Sequence, residues 1–159
     1  NWYVKQIDSQ IFIGNDMSTM LVEQNGSIQS VPGALNSTCI VEASINGQEV
    51  LVEASYAELR IWKKQAGIWK LSHNVQDFYA PIKSLEVDGT GTIWASHMYN
   101  GLYRIKLDDD LHRIKDLEHI HTLGGKQKSG KIHVMKIRGR IVFSNTEGYF
   151  MYDDIERKI

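Results

Sequence analysis

Four groups of residues have types and spacings that could do chemistry, and each names a different chemistry. The run Gly125-Lys-Gln-Lys-Ser-Gly-Lys131 imitates a phosphate-binding loop. The residue after it is Ile132, so the Ser or Thr that would hold magnesium is missing. The run from Ile132 to Ile137 reads as a strand, where phosphate binding needs a helix N-terminus. Asp108, Asp109 and Asp110 could suggest calcium, but the Gly and distal Glu of a calcium loop are absent, and the position is that of a hairpin turn. His119 and His121 are two apart and share a face of a strand. They could hold a metal, yet no third ligand is near them in sequence, and the reading is of surface residues entering a loop. Cys39 sits in an apolar run, Thr-Cys-Ile-Val, and reads as a small core residue. No Ser-His-Asp or Cys-His set can be placed. The expectation is no catalytic residue, no metal site and no cofactor.

One cluster remains: His97, Met98, Tyr99 and Asn100 in one short loop, Tyr56 in another, and Asp77, Phe78 and Tyr79 in a third. Flat apolar rings beside amide and carboxylate groups suit a sugar, which has apolar faces and hydroxyl edges. The same rings could instead do no more than pack these loops together, and the residue types leave both readings open.

The elements that must position these loops are strands. Helical periodicity is weak, while short runs of Val, Ile, Trp and Tyr are punctuated by Gly, Asn and Asp. Four segments align: Ile7-Asp-Ser-Gln-Ile-Phe-Ile13, Ile45-Asn-Gly-Gln-Glu-Val-Leu-Val52, Val87-Asp-Gly-Thr-Gly-Thr-Ile-Trp94 and Ile137-Arg-Gly-Arg-Ile-Val-Phe143. Each is an apolar residue, a polar turn and an apolar strand. A first strand precedes each: 3–7, 38–42, 82–87 and 132–137. A third strand comes after it at 19–23, 58–62, 101–105 and 148–152, and a fourth at 27–31, 68–71, 111–114 and 155–159. Four antiparallel strands recurring about every 40 residues is the unit of a β-propeller blade. The fold class expected is therefore all-β, with four four-stranded antiparallel blades at about 2–35, 36–80, 81–121 and 131–159, within one segment spanning 1–159. In that fold the three loops of the cluster lie on the face where ligands usually bind.

With 159 residues and a formal charge of −1, the chain offers no general attraction to nucleic acid or anionic membrane. No apolar run is long enough to span a bilayer and there is no signal peptide. The first residue is Asn, so the chain is expected to be part of something longer. An arc of a larger propeller would leave the outer faces of its first and last blades uncovered and prone to association.

Thr92-Ile-Trp-Ala-Ser and then Asn100-Gly-Leu-Tyr-Arg-Ile resembles the repeat of the two-component regulator propeller family, roughly Gly-Asn-Leu-Trp-Ile-Gly-Thr and then Gly-Gly-Leu-Tyr-Arg. The likeness is densest in the third blade. The fourth keeps Gly148-Tyr-Phe without the strand Trp, and the first two keep the rhythm. The resemblance implies a non-catalytic sensor region of a Bacteroides-type regulator, periplasmic and anchored to a membrane elsewhere in the protein. It implies an oligosaccharide or similar small molecule as ligand, with other blades of the same regulator and a second copy as partners. It also implies that this segment contacts neither nucleic acid nor membrane. The alternative is a scaffold propeller that mediates protein–protein contact or dimerisation.

Overall fold

β-branched and aromatic runs bounded by Asn, Asp and Gly turns form antiparallel strands throughout. The computed structural model describes residues 2–123, 126–128, 130–153, 155–156 and 158–159, and no helix occurs among them. The first sheet is β1 (Tyr3–Ile7), β2 (Gln10–Gly14), β3 (Ser18–Val22) and β4 (Ile28–Leu35), paired in chain order. The second is β5 (Ser37–Ile45), β6 (Gln48–Ser55), β7 (Leu59–Gln65) and β8 (Ile68–Asn74). The third is β9 (Ile82–Val87), β10 (Ile93–His97), β11 (Leu102–Leu107) and β12 (Ile114–Ile120). A two-stranded ribbon, β13 (Thr122–Leu123) and β14 (Lys126–Lys128), precedes a three-stranded sheet of β15 (His133–Ile137), β16 (Arg140–Asn145) and β17 (Gly148–Met151).

Three sequence expectations are corrected. The fourth strand of the third sheet starts at Ile114, not Leu111. The Asp108 carboxylate accepts the N–H groups of His112 (2.8 Å) and Arg113 (3.1 Å), and Leu111 has φ 62, so 108–113 is a wide turn. The stretch 155–159 adds no fourth strand to the last sheet among the described residues. Asp153 caps a turn there, accepting the N–H groups of Ile155 and Glu156, and Asp153 bridges to Lys158. Part of the 125–131 run that imitates a phosphate-binding loop is instead strand, Lys126–Lys128, paired with Thr122–Leu123 as β14 and β13. Gly125 and Ser129 of that stretch, with Asp154 and Arg157, lie outside the described residues.

The sheets pack face to face in chain order, with β1 against β5, β5 against β9 and β9 against β15. Three apolar clusters fill the gaps. Ile7, Phe12, Leu51, Trp62 and Trp69 lie between the first two sheets. Val52, Ile61, Phe78, Leu85, Ile93 and Ile105 fill the second gap, and Trp94, Leu102, Val134, Ile141 and Phe143 the third. Each such side chain contributes about 1.5–3 kcal/mol through burial.

The outer faces of the end sheets carry no such cover among the described residues. Val4, Ile13 and Met20 form one cross-strand row on the first sheet, and Ile11, Val22 and Ile28 the next. Val4 is 65% exposed and Ile28 56%. On the last sheet Met135, Val142 and Met151 form the matching row.

The hairpin turns after each first strand gather at one end. Two of them, Asn46-Gly47 and Arg138-Gly139, have positive φ at both central residues, the geometry that matches strand twist in a two-residue turn. The links between second and third strands, and the connections between sheets, gather at the other.

Candidate functional site

β10 delivers His97 to the link end, and β11 leaves it at Leu102. Between them the chain folds into a small closed loop. The His97 N–H donates to the Gly101 carbonyl at 3.1 Å. The His97 ring then turns back, and its Nδ1 accepts the N–H groups of Tyr99 and Asn100, each at 3.1 Å. A nitrogen that accepts carries no proton, so the neutral ring is protonated at Nε2. Gly101 has φ +84, and a Cβ there would lie 2.7 Å from the Ile120 carbonyl and 2.9 Å from His119 Nε2, so only glycine fits.

The loop is tied to its neighbours on three sides. The Met98 N–H donates to the Pro81 carbonyl at 2.8 Å, holding the loop beside the 75–81 connection. The Gly101 N–H donates to the Gly130 carbonyl at 3.2 Å. His119 on β12 donates its Nε2–H to the Asn100 carbonyl at 3.3 Å.

Around the loop the rings form a continuous belt. Tyr103 stacks on His119 at 4.2 Å, and His119 lies 3.9 Å from His121. His97 is 6.2 Å from His119 and 5.9 Å from Tyr99, and Phe78 meets Tyr103 edge-on at 5.6 Å. Burial pushes the His97 imidazole below its usual range, and His119 beside it adds to the shift. Burial likewise lowers His119, against the Asn100 carbonyl and with help from His121.

The belt continues to the first sheet. Tyr56 donates its O–H to Asp16 Oδ1 at 2.6 Å, and Trp2 donates Nε1–H to the same oxygen at 2.8 Å. Trp2 meets Tyr56 edge-on at 6.2 Å. The hydrogen bond from Tyr56 and then that from Trp2 hold the Asp16 carboxyl below the usual carboxylate range, and Asp16 in turn raises Tyr56, which also senses Tyr99.

The expected residues therefore share one end but differ in what they offer. Tyr99 (66% exposed) and Tyr79 (80%) present open faces, and Asn100 is half-buried. Met98 is half-buried. Phe78, at 3% exposed, belongs to the core between the second and third sheets and offers no face to a ligand. Asp77, with φ 61, and Tyr79 line a shallow hollow of about 270 Å³ with Glu58 and Asn74.

Three residues of the belt escape the sequence reading, Trp2, Asp16 and Tyr103, and His119, read there as a surface residue, joins them. The strand period held a signal for Tyr103 and His119, because they sit directly opposite each other in the β11–β12 register. At the hairpin end, residues of all four sheets line a further cavity of about 480 Å³, among them Asp8, Glu42, Glu49, Lys64, Asp88 and Lys136. Its charges are partly spoken for. Lys64 pairs with Asp8 at 2.8 Å, and Trp69 donates Nε1–H to the same carboxylate at 2.9 Å.

Among the described residues no group of three or more His, Cys, Asp or Glu side chains is arranged to hold a metal ion. Compared with known proteins, the chain matches no family model, and no curated protein matches it.

Proposed function

We propose that the chain is a non-catalytic, ligand-sensing segment of a β-propeller. In this reading its four sheets are consecutive blades. The radial arrangement is supported by the first strands, which pack side by side in chain order, and by Glu86 on β9. Burial raises the Glu86 carboxyl, against the pull of Lys136 on β15 and Lys5 on β1, so the innermost strands of three sheets converge on one charge.

The observation that carries the sensing role is the rim of rings at the link end, three of them exposed and Tyr56 half-buried. Trp2, Tyr56, Tyr79 and Tyr99 come from three sheets and the connection between two of them, with Asp16 and Asn100 interleaved. Stacking faces with acceptors and an amide between them match the faces and edges of an oligosaccharide. The sequence likeness at Thr92–Ile105 supports a place in the periplasmic sensor region of a bacterial signal-transduction or transcription regulator.

The test is thermal melting across a panel of neutral oligosaccharides, and then titration of any that raises Tm. Tyr99→Ala should weaken binding by about tenfold, the value of one stacking contact, with the ligand-free Tm unchanged. Equal binding by wild type and variant would reduce the rim to loop packing. A second reading, a scaffold that associates through its end sheets, is favoured by the uncovered apolar rows Val4–Ile13–Met20 and Met135–Val142–Met151.

A further inference from the structure

His97 does two jobs in its loop, and only one of them survives acid. Its backbone N–H closes the loop onto Gly101, which no change of pH alters. Its ring nitrogen Nδ1 is the acceptor for both Tyr99 N–H and Asn100 N–H. We propose that His97 is a proton-operated latch: protonation at Nδ1 removes the acceptor that holds residues 99 and 100, and the 99–100 turn within the loop is released while the backbone closure onto Gly101 stays. An imidazolium has two N–H donors and no acceptor, so the protonated ring faces two N–H groups donor to donor. The loop then keeps its backbone closure from His97 to Gly101 and its outer ties, Met98 to Pro81, Gly101 to Gly130 and Asn100 to His119. The last of these outlasts acid, because His119 donates in it whether neutral or charged.

The surroundings place the change below the ordinary imidazole range. Facing His97 are Tyr99 from its own loop, Tyr103 from β11, and His119 from β12, with His121 tilted against His119 at 3.9 Å. The 75–81 connection brings Asp77 and Tyr79, and β9 brings Lys83, which lies 3.5 Å from His133. None of these forms an ion pair with His97 among the described residues. A second proton, on His119, therefore meets a like charge rather than a counter-ion. Burial holds His97 below its ordinary 6.5, and His119 pushes in the same direction. The latch is thus shut at neutral pH and released in mild acid. It needs no ligand to work, and none is added in testing it.

The experiment is an NMR titration of the whole chain, tracking the His97 ring and the Tyr99 and Asn100 amides. Both amides should shift with the His97 midpoint, below 6.5. His97→Asn places an oxygen where Nδ1 stands, an acceptor that does not titrate, and should hold the loop shut and abolish the amide transition. His119→Gln removes the neighbouring charge and should move the His97 midpoint upward. Amides that do not move through the His97 titration, or that titrate unchanged in His97→Asn, would overturn the latch.

Discussion

At the scale of single residues, the largest penalty in the chain sits where the sequence reading saw nothing. Glu53 is fully buried between the first two sheets. It accepts hydrogen bonds from Thr19, Ser37 and the Trp62 indole, and pairs with Arg60 at 3.6 Å. Arg60, also buried, donates to the Leu35 carbonyl, yet its Nε has no hydrogen-bond partner. A buried charge stripped of its partner costs about 3–5 kcal/mol. Glu53→Gln should lower unfolding free energy by that order in urea denaturation. Adding Arg60→Met should restore part of the loss, because the buried cation, left with only the half-exposed Glu58 as counter-ion at 3.3 Å, goes with it. Additive losses would mean the pair is not coupled. Gly101→Ala is a second sensitive site. Its Cβ would meet backbone and the His119 ring at under 3 Å, and its φ is left-handed, so a loss of about 1–3 kcal/mol should appear in the same assay.

At the scale of elements, β1 and β9 were legible to the residue because β1 alternates in burial, β9 closes on Leu-Glu-Val, and each ends in a polar turn. The third-sheet outer strand was misplaced because Leu111 and Ile114 look like strand residues in sequence. The turn at 108–113 is closed by backbone bonds from Asp108 to Arg113 and from Leu111 to Asp108, and by the Asp108 carboxylate accepting the His112 and Arg113 N–H groups, and spacing does not reveal which of three aspartates does this. The candidate loop was legible as residues but not as a device, because the acceptor role of His97 depends on ring orientation. The Glu53–Arg60 pair left a fainter trace: a charge at 53 interrupts the apolar run from Val50 to Ala54. Trp69 on β8 ties its sheet to the first turn of the preceding one through Asp8 and Gln10. Trp69→Phe keeps most of the ring but drops the bond to Asp8, and should cost about 1 kcal/mol in the urea assay. An unchanged midpoint would show the Asp8–Trp69 bond to be incidental.

At the scale of the molecule, three imidazoles set the response to acid. His73, His97 and His119 are each held below 6.5, chiefly by burial. The unfolded chain therefore binds more protons than the folded one just below pH 6.5. The stability these groups lend is complete above 6.5 and is lost as pH falls through their folded values. Glu86 works in the opposite sense, since its carboxyl is raised above 4.5, but at lower pH. Thermal melts from about pH 7.5 to about pH 5 should show a falling Tm, and His73→Gln with His119→Gln should flatten the slope. A Tm constant over that range would contradict the burial of these rings. The two uncovered end faces make a separate claim. If they seek each other, the chain should self-associate at rising concentration in sedimentation, and Val4→Lys should return it to monomer. A dilute monomer unaffected by that change would argue against the scaffold reading.

Among the described residues the main packing between sheets joins sheets that are consecutive in the chain, and within each sheet every strand pairs with its neighbour in sequence. Such a chain behaves as a row of coupled units rather than one body. As a ribosome releases it, each hairpin can close before the next is made, and each finished sheet offers the next an apolar platform. Few long loops must close first, so folding should be quick for an all-β chain and should proceed from the N-terminus. Shortening the chain from its C-terminal end, one sheet at a time, should subtract stability in steps instead of abolishing the fold at once.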